Sequence, residues 1–561
     1  MSLDSTWYKE AIFYELHIKA FYDSNNDGIG DFKGLTEKLD YLQDLGIDCI
    51  WLLPFYPSPQ KDGGYDISDF CKIQAEYGTL KDFKAFLRAA HKRNIRVIAD
   101  LVMNHTSDQH PWFKEARSSK KSKKRNYYVW SDTDQKYKGT NIIFTDTETS
   151  NWTYDKETNQ YYWHRFYSHQ PDLNYDNPKV RTSILKVLNY WLTLGLDGFR
   201  CDAVPYLFER EGTTCENLPE TNDFFKELRK KIDVKFKDKV LLAEANQKPE
   251  DLIAYFGDGD EFHMAFHFPL MPRFFTSIRQ ENCKPIVDII NNTPKIPENC
   301  QWGLFLRNHD ELTLAILSEE EKDYLYKEFA KDLKMRKHGG IGRRLAPLVD
   351  QGRRQMELLN NLLMTMPGSP IIYYGDEIGM GDNIYLGDRD GLRTPMQWTI
   401  DRNAGFSKAD PAMLYSPVIS DPVYGYQSIN VDSQSRTTTS LLSWMKRLIK
   451  LRKKYSSVFG RGDIEFLKSK NEKTLSYIRR YEDQIILIVN NLSRYTQPIE
   501  LDLSAYNGFI PVEPFGNTNF PKISESPYFL SLGPHNFYWF KLEAVTQEAK
   551  AKLDELKNKK S

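Results

Sequence analysis

From residue 11 to residue 455, short apolar runs take turns with stretches whose apolar residues recur every three or four positions. The short runs predict strands and the periodic stretches predict helices. Strands are expected at 11–18, 49–53, 95–103, 197–201, 240–244, 262–266, 302–307 and 370–374. Helices at 32–45, 80–93, 178–194, 222–236 and 351–366 lie between them or precede the last, and 441–455 follows. Eight such strands alternating with helices predict an α/β fold, a (β/α)8 TIM barrel with its chemistry at the C-terminal strand ends.

Two interruptions break the rhythm. Residues 105–171 are polar and aromatic, which predicts an inserted subdomain after strand 3 and a barrel built from 1–104 and 172–455. A basic run at 120–125 within it is expected to be a solvated face. Residues 311–352 are charged and helical, a lid-like insertion in which Leu325, Phe329 and Leu333 would form one apolar stripe. Beyond the barrel the period changes to two, at 475–479, 484–490, 498–503 and 536–542. That predicts a C-terminal antiparallel β-sandwich over 456–545, followed by a charged, helical tail at 546–561.

Composition narrows the function classes. A chain of 561 residues is too long for one simple core. Aromatic residues make up 14%, a supply of ring faces for sugars or bases. A net charge of −1 gives no reason to expect nucleic acid or an anionic membrane. No run of about 18 apolar residues exists, so no membrane span is expected, and 1–10 does not read as a secretory leader. The six cysteines (Cys49, Cys71, Cys201, Cys215, Cys283, Cys300) show no paired spacing, which predicts reduced thiols and a cytoplasmic location.

Oxygen-bearing side chains fall at alternate positions in Asp23, Asn25, Asp27 and Asp31, with the Ile29 carbonyl between and Gly28 at the turn. This pattern suits a hard cation, Ca²⁺ or Mg²⁺. The twelfth position is Gly34 rather than a bidentate Glu, so the loop is not an EF-hand.

Four predicted strands end in polar residues: Asn104 and His105 on the third, Arg200 and Asp202 on the fourth, Glu244 and Asn246 on the fifth, His309 and Asp310 on the seventh. Arg200 and Asp202, two apart on a strand, share a face, where the guanidinium would keep the carboxylate ionised. A lone pair of that kind is usually structural. Three carboxylates at one barrel mouth instead meet the need of retaining glycoside chemistry for an ionised nucleophile beside a protonated acid.

Residues 100–105, 198–202, 244 and 308–310 resemble the four signature segments of the α-amylase family of glycoside hydrolases, and the likeness covers essentially the whole chain. Further segments at 170–174, 243–247, 308–313, 342–347, 387–391 and 393–398 resemble the branch that interconverts maltose and trehalose. The resemblance implies Asp202 as nucleophile, Glu244 as acid/base and Asp310 as the holder of sugar hydroxyls. It implies that His105, His309 and Arg200 line the glucose subsite with Asp62 and Tyr65 behind, and that Arg393 pairs with Asp62 to close its far end. Asn246 and Glu311 would meet the acceptor. It also implies Ca²⁺ between barrel and insertion, held by Asn104, Asp172, Glu209 and the carbonyls of Tyr206 and Leu207, and no organic cofactor.

The expected partner is a small disaccharide, with no nucleic acid or membrane; a homo-oligomer is left open. No further domain is expected after the sandwich. Two alternatives stay open at this point: an α-glucosidase of the oligo-1,6-glucosidase or trehalose-phosphate hydrolase type, and a non-catalytic amylase-like barrel.

Overall fold

A computed structural model describes residues 5–545 and 550–554. Eight parallel strands close a barrel in chain order: β1 (Phe13–Leu16), β2 (Cys49–Leu52), β3 (Arg96–Val102), β4 (Gly198–Asp202), β5 (Val240–Ala243), β6 (Met264–Phe266), β7 (Gln301–Phe305) and β8 (Ser369–Tyr373). The strands are buried on both faces, which is why they read as apolar runs rather than alternations. Inside the barrel there is little room: a Cβ at Gly303 would come 3.3–3.5 Å from Ile371, Leu242 and Phe266.

The outer helices follow from caps and apolar stripes. Leu80–Lys92 starts at a Thr79–Asp82 capping box and buries Phe83, Phe86, Leu87 and Ala90 on one face. Pro178–Leu194 starts with an Asn177 cap and a proline in its first turn, and stops at Gly195, whose φ of 118° suits a residue without Cβ. Its buried stripe includes Trp191, a side chain worth roughly 1.5–3 kcal/mol or more when removed from water.

Strand register carries the functional consequence. Asp100 of β3 pairs with Arg200 of β4, and Val102 with Asp202. Cys201 of β4 pairs with Ala243 of β5, so Glu244 emerges beside Asp202 at the same rim. Adjacent residues on neighbouring strands thereby bring together groups about 40 to 100 positions apart in the chain.

The inserted segment forms a helix (Pro111–Ser118) and a three-stranded antiparallel sheet of Trp130–Ser131, Gln160–Trp163 and Trp152–Asp155. The second insertion holds a helix (Glu319–Phe329) and a hairpin of Arg336–Lys337 with Gly340–Ile341. The C-terminal region is a six-stranded antiparallel sheet facing the pair Gln497–Leu501 and Tyr528–Leu532. Leu487, Val489, Ile499, Leu501 and Phe540 fill the space between them. Asn361 of the barrel bonds Asn490 at 2.7 Å and Trp539 at 2.5 Å, tying this region to the barrel.

Several expectations are corrected. The helix expected over 32–45 is two helices, Phe32–Glu37 and Leu39–Leu45. Between them Lys38 leaves helical geometry and sets its ammonium over the rings of Tyr22 and Trp398, 3.9 and 4.4 Å away. Leu333 does not continue the stripe of Leu325 and Phe329: the helix ends at Phe329, and Leu333 is 73% exposed. The basic run is solvated only in part, because Arg125 is buried, with its guanidinium 3.3 Å from the Trp130 ring centre and bonded to the Ala116 carbonyl. Strands at Asp463–Phe466, Ile510–Glu513 and Tyr528–Leu532 had no clear signal in the sequence. Of the expected tail helix, 550–554 are helical and the other residues from 546 onward lie outside the described residues. Among the described residues no helix is long and apolar enough to cross a membrane.

Candidate active site

The strand ends open into a cavity of about 160 Å³ whose lining includes Asp202, Glu244 and Asp310 together with Asp62, Tyr65, His105, Asn246 and Glu311. Phe144 and Phe166 from the inserted segment, Tyr206 after β4 and Phe268 after β6 supply apolar faces. Polar groups convergent among aromatic walls are the makeup of a small-molecule site.

Arg200 joins two of the carboxylates in the cavity's lining. Its Nη1 lies 2.6 Å from Asp202 Oδ1 and 2.5 Å from Asp100 Oδ1, and its Nη2 contacts Glu244 Oε1. Two acids on the nitrogens of one guanidinium sit close together, the arrangement that retaining chemistry uses (about 5–5.5 Å). Arg200 itself is 1% exposed and lies beneath the cavity rather than lining it. Ala203 follows Asp202 in a left-handed conformation (φ 53°, ψ 39°), a strained choice for a residue with a Cβ, and aims its N–H at Glu244 Oε2, 3.2 Å away.

Burial separates the acids by role. It pushes Asp202 up to about 6, against the pull of Arg200 and with repulsion from Asp100. It pushes Glu244 up to about 7, again against Arg200 and helped by Asp202 and Asp310. Near neutral pH the first is mostly ionised and the second is poised to carry a proton. Asp310 behaves oppositely: burial would raise it, but His309, Arg389 and Arg393 together hold it well below the usual carboxylate range.

His309 is braced from both sides. Its Nδ1 is 2.6 Å from Glu15 Oε1 on β1, and its Nε2 is 2.7 Å from the Tyr65 hydroxyl and 3.0 Å from Asp310 Oδ2. Burial works against its charge, but Asp310 and Glu15 raise it to about 9. Tyr65 stacks on the His309 ring at 5.4 Å and 8°. His309, like Arg200, therefore supports the cavity from below, whereas the His105 side chain reaches it with an Nε2 that has no hydrogen-bond partner.

The far wall differs from the expected pairing. Arg393 binds Asp310 Oδ1 at 2.9 Å and the His309 carbonyl at 3.0 Å, not Asp62. A Cβ at Gly63 would come 2.4 Å from Arg393 Nη1, so glycine there admits the guanidinium. Arg389 makes the closure instead: Nη2 reaches Asp62 Oδ1 at 2.7 Å and Nη1 reaches Asp310 Oδ1 at 2.8 Å. Asp62 is further held by Gln170 Nε2 at 2.9 Å. Sequence reasoning missed Arg389, Glu15 and the aromatic walls; the 387–391 segment was the one signal that pointed to the first of them. On the open side, Asn246 Nδ2 donates to Thr313 Oγ1 at 2.8 Å, leaving Asn246 Oδ1 and Glu311 Oε2 buried and unpartnered.

Beneath the inserted segment, Asn104 Oδ1, Asp172 Oδ2 and Glu209 Oε1 are buried without hydrogen-bond partners. Burial pushes Asp172 up to about 8, and burial together with the charge of Asp172 raises Glu209 well above its ordinary value. Orphaned, mutually repelling oxygens fit a hard cation. With only two acids, this set forms no cage of three or more His, Cys, Asp or Glu groups, and among the described residues none exists. The Asp23–Asp31 loop differs. Asp23 accepts from the Asn26 and Gly28 amides, Asn25 from Asp27, Asp27 from Ile29 and Asp31 from Gly34, at 2.7–2.9 Å. Its carboxylate and amide side-chain oxygens all have partners, so a cation there would share atoms that already shape the turn.

A barrel with three acids around one aromatic-walled pocket is the architecture of an enzyme acting on glycosidic bonds. The family model for the alpha amylase catalytic domain matches residues 15–339 and 340–461, and that for the maltogenic amylase C-terminal domain matches 464–539. The chain belongs to the alpha-amylase family. It is 57% identical over 558 residues to the trehalose synthase/amylase of Mycolicibacterium smegmatis, covering 97% of this chain and 94% of that one. Identity to the oligo-1,6-glucosidase of Bacillus cereus is 31% over 548 residues, covering 88% of this chain and 92% of the relative. Among solved structures, the trehalulose synthase of Pseudomonas mesoacidophila superposes with a TM-score of 0.76 at 28% identity, covering 96% of this chain and 99% of that one.

Proposed function

We propose that this chain interconverts maltose and trehalose by intramolecular transfer of a glucosyl group, with minor release of glucose. The carrying observation is the pair Asp202 and Glu244 on one guanidinium, in a pocket walled at its far end by Asp62, Arg389 and Asp310. The identity of 57% to a trehalose synthase/amylase, against 31% to a glucosidase, supports isomerisation over simple hydrolysis.

Asp202 Oδ attacks the anomeric carbon of the non-reducing glucose while the C1–O4 bond breaks, and Glu244 gives its proton to the departing oxygen. The freed glucose stays, turns and presents its 1-hydroxyl. Glu244 takes that proton as the new C1–O1 bond forms and the ester to Asp202 breaks. Two inversions give an α,α-1,1 linkage with no net hydrolysis. Asp310, held ionised, accepts hydroxyls of the bound ring; Asn246 and Glu311, with unpartnered oxygens, serve the acceptor.

Asn104, Asp172 and Glu209, with the Tyr206 and Leu207 carbonyls, would hold Ca²⁺, which would neutralise their charge and join the inserted segment to the barrel. A second Ca²⁺ or Mg²⁺ in the Asp23–Asp31 loop rests on its oxygen donors alone, and neither ion enters the chemical steps. The cysteines, all free, support a reducing, cytoplasmic setting. The test is NMR of purified protein with maltose. Trehalose as the main product is expected; glucose alone would overturn the reading.

A further inference from the structure

Three separate segments meet above the pocket at one side chain, His338. It stands at the tip of the Arg336–Lys337/Gly340–Ile341 hairpin with a φ of 46°. Its Nε2 is 2.6 Å from Asp388 Oδ1 and 3.5 Å from the Tyr167 hydroxyl. Its backbone N–H donates to Asp146 Oδ2 at 3.1 Å, and its Nδ1, which makes no hydrogen bond, lies within ion-pair distance of the same oxygen at 3.4 Å. The ring packs on Phe144 at 4.4 Å. Phe144, Asp146 and Tyr167 belong to the inserted segment after β3, His338 to the insertion after β7, and Asp388 to the connection after β8.

The hairpin is fastened to the reacting centre at both ends. Leu312 and Ile341 exchange backbone hydrogen bonds of 2.8 and 3.1 Å, and a Cβ at Gly340 would come 2.6 Å from Glu311 Cγ. Glu311 lines the cavity and follows Asp310 in the chain. On the other side Asp388 receives Arg389 Nε at 3.2 Å, and the same guanidinium holds Asp62 and Asp310. One line of contacts thus runs from Asp310 through Arg389, Asp388 and His338 to Asp146, from the sugar's wall to the outer lip.

We propose that His338 is a positioning residue that keeps the cleaved-off glucose inside the pocket, and so sets how the glucosyl-enzyme divides between transfer and hydrolysis. This rests on the isomerase reading above. With the tie closed, the hydroxyl next to the ester is O1–H of the retained glucose; its proton passes to Glu244 and the C1–Asp202 bond breaks to give disaccharide. With the tie open, glucose leaves and water takes its place, giving its proton to the same base and yielding two glucose molecules from each maltose. The step differs only in which hydroxyl arrives, so what guards the entrance decides the product.

The groups facing His338 favour its charged form on balance. Burial and Arg389 act against it, while Asp388 and Glu311 raise it, and Asp146 and Tyr167 complete the surroundings. The imidazolium tie is present below its raised folded pKa and is lost as pH rises through it, so the glucose share should grow on the alkaline side.

The test compares wild type, His338→Gln and Asp146→Asn on maltose with ¹³C-glucose added, read by NMR. The Asp146 side chain is 47% exposed, so its replacement leaves the core intact. Both variants are expected to raise the glucose-to-trehalose ratio, His338→Gln by about tenfold, and to draw labelled glucose into disaccharide that the wild type excludes. The glucose share of His338→Gln should be flat with pH where that of the wild type rises. Wild-type trehalose formation with unchanged ratios and no label uptake in either variant would overturn the tie alone. A wild type yielding only glucose would overturn it together with the isomerase reading.

Discussion

Arg389 Nη1 lies 2.8 Å from Asp310 Oδ1, and a second nitrogen of the same guanidinium lies 2.7 Å from Asp62. This buried cation closes the pocket and, together with His309 and Arg393, holds Asp310 ionised. Without it Asp310 keeps Arg393 and His309, but Asp62 loses its ion-pair partner, a loss that costs about 3–5 kcal/mol in comparable buried pairs. Arg389→Ala should therefore lower both the unfolding temperature and kcat/KM, the latter by about a hundredfold or more. Arg389→Lys should recover stability better than activity, because an ammonium cannot reach two carboxylates in a planar fork. Thermal scans and maltose kinetics on both variants check this.

The opposed roles of Asp202 and Glu244 set a pH window. Asp202 must be ionised, and burial pushes it up to about 6; Glu244 must carry a proton, and burial pushes it up to about 7. The profile of kcat/KM should rise as pH passes about 6 and fall above about 7, giving a narrow bell. Because the two acids share Arg200, the limbs report the pair rather than each residue. A profile flat from pH 5 to about 9 contradicts the assignment.

Replacing the nucleophile is the harsher test. Asp202→Asn keeps the shape but removes the attacking charge, and maltose turnover should fall on the order of 10⁴-fold or more. The neighbouring Arg200 would then lose one of its partners, so circular dichroism of the variant separates lost chemistry from lost fold.

The orphaned oxygens of Asn104, Asp172 and Glu209 predict a stability response to divalent cation. A ligand bound only by the folded chain at a hundredfold excess over its Kd contributes about 2.7 kcal/mol. Calcium added after chelation should raise the unfolding temperature by several degrees, and Asp172→Asn should abolish most of that gain. A chelated protein that melts unchanged with or without calcium argues against the cation.

Much of this was legible along the chain, for a physical reason. Barrel strands buried on both faces leave continuous apolar runs, and their ends carry the acids, so Asp202, Glu244 and Asp310 stood out before any contact was known. The groups that close the site did not. Arg389 and His338 lie in connections without periodicity, and their partners Asp62, Asp310 and Asp146 are tens to hundreds of positions away. Arg393 was paired with the wrong carboxylate because two arginines four apart compete for the same acids, and only the fold decides between them. Local patterns also hid the break at Lys38, whose ammonium lies over the rings of Tyr22 and Trp398.

The most direct measurement follows the two rings of one substrate molecule. Maltose carrying ¹³C in both rings is mixed with unlabelled maltose, and the trehalose formed is analysed by mass. Retention of the cleaved glucose in the pocket predicts trehalose labelled in both rings or in neither. Trehalose labelled in one ring only, in the statistical proportion, would contradict it.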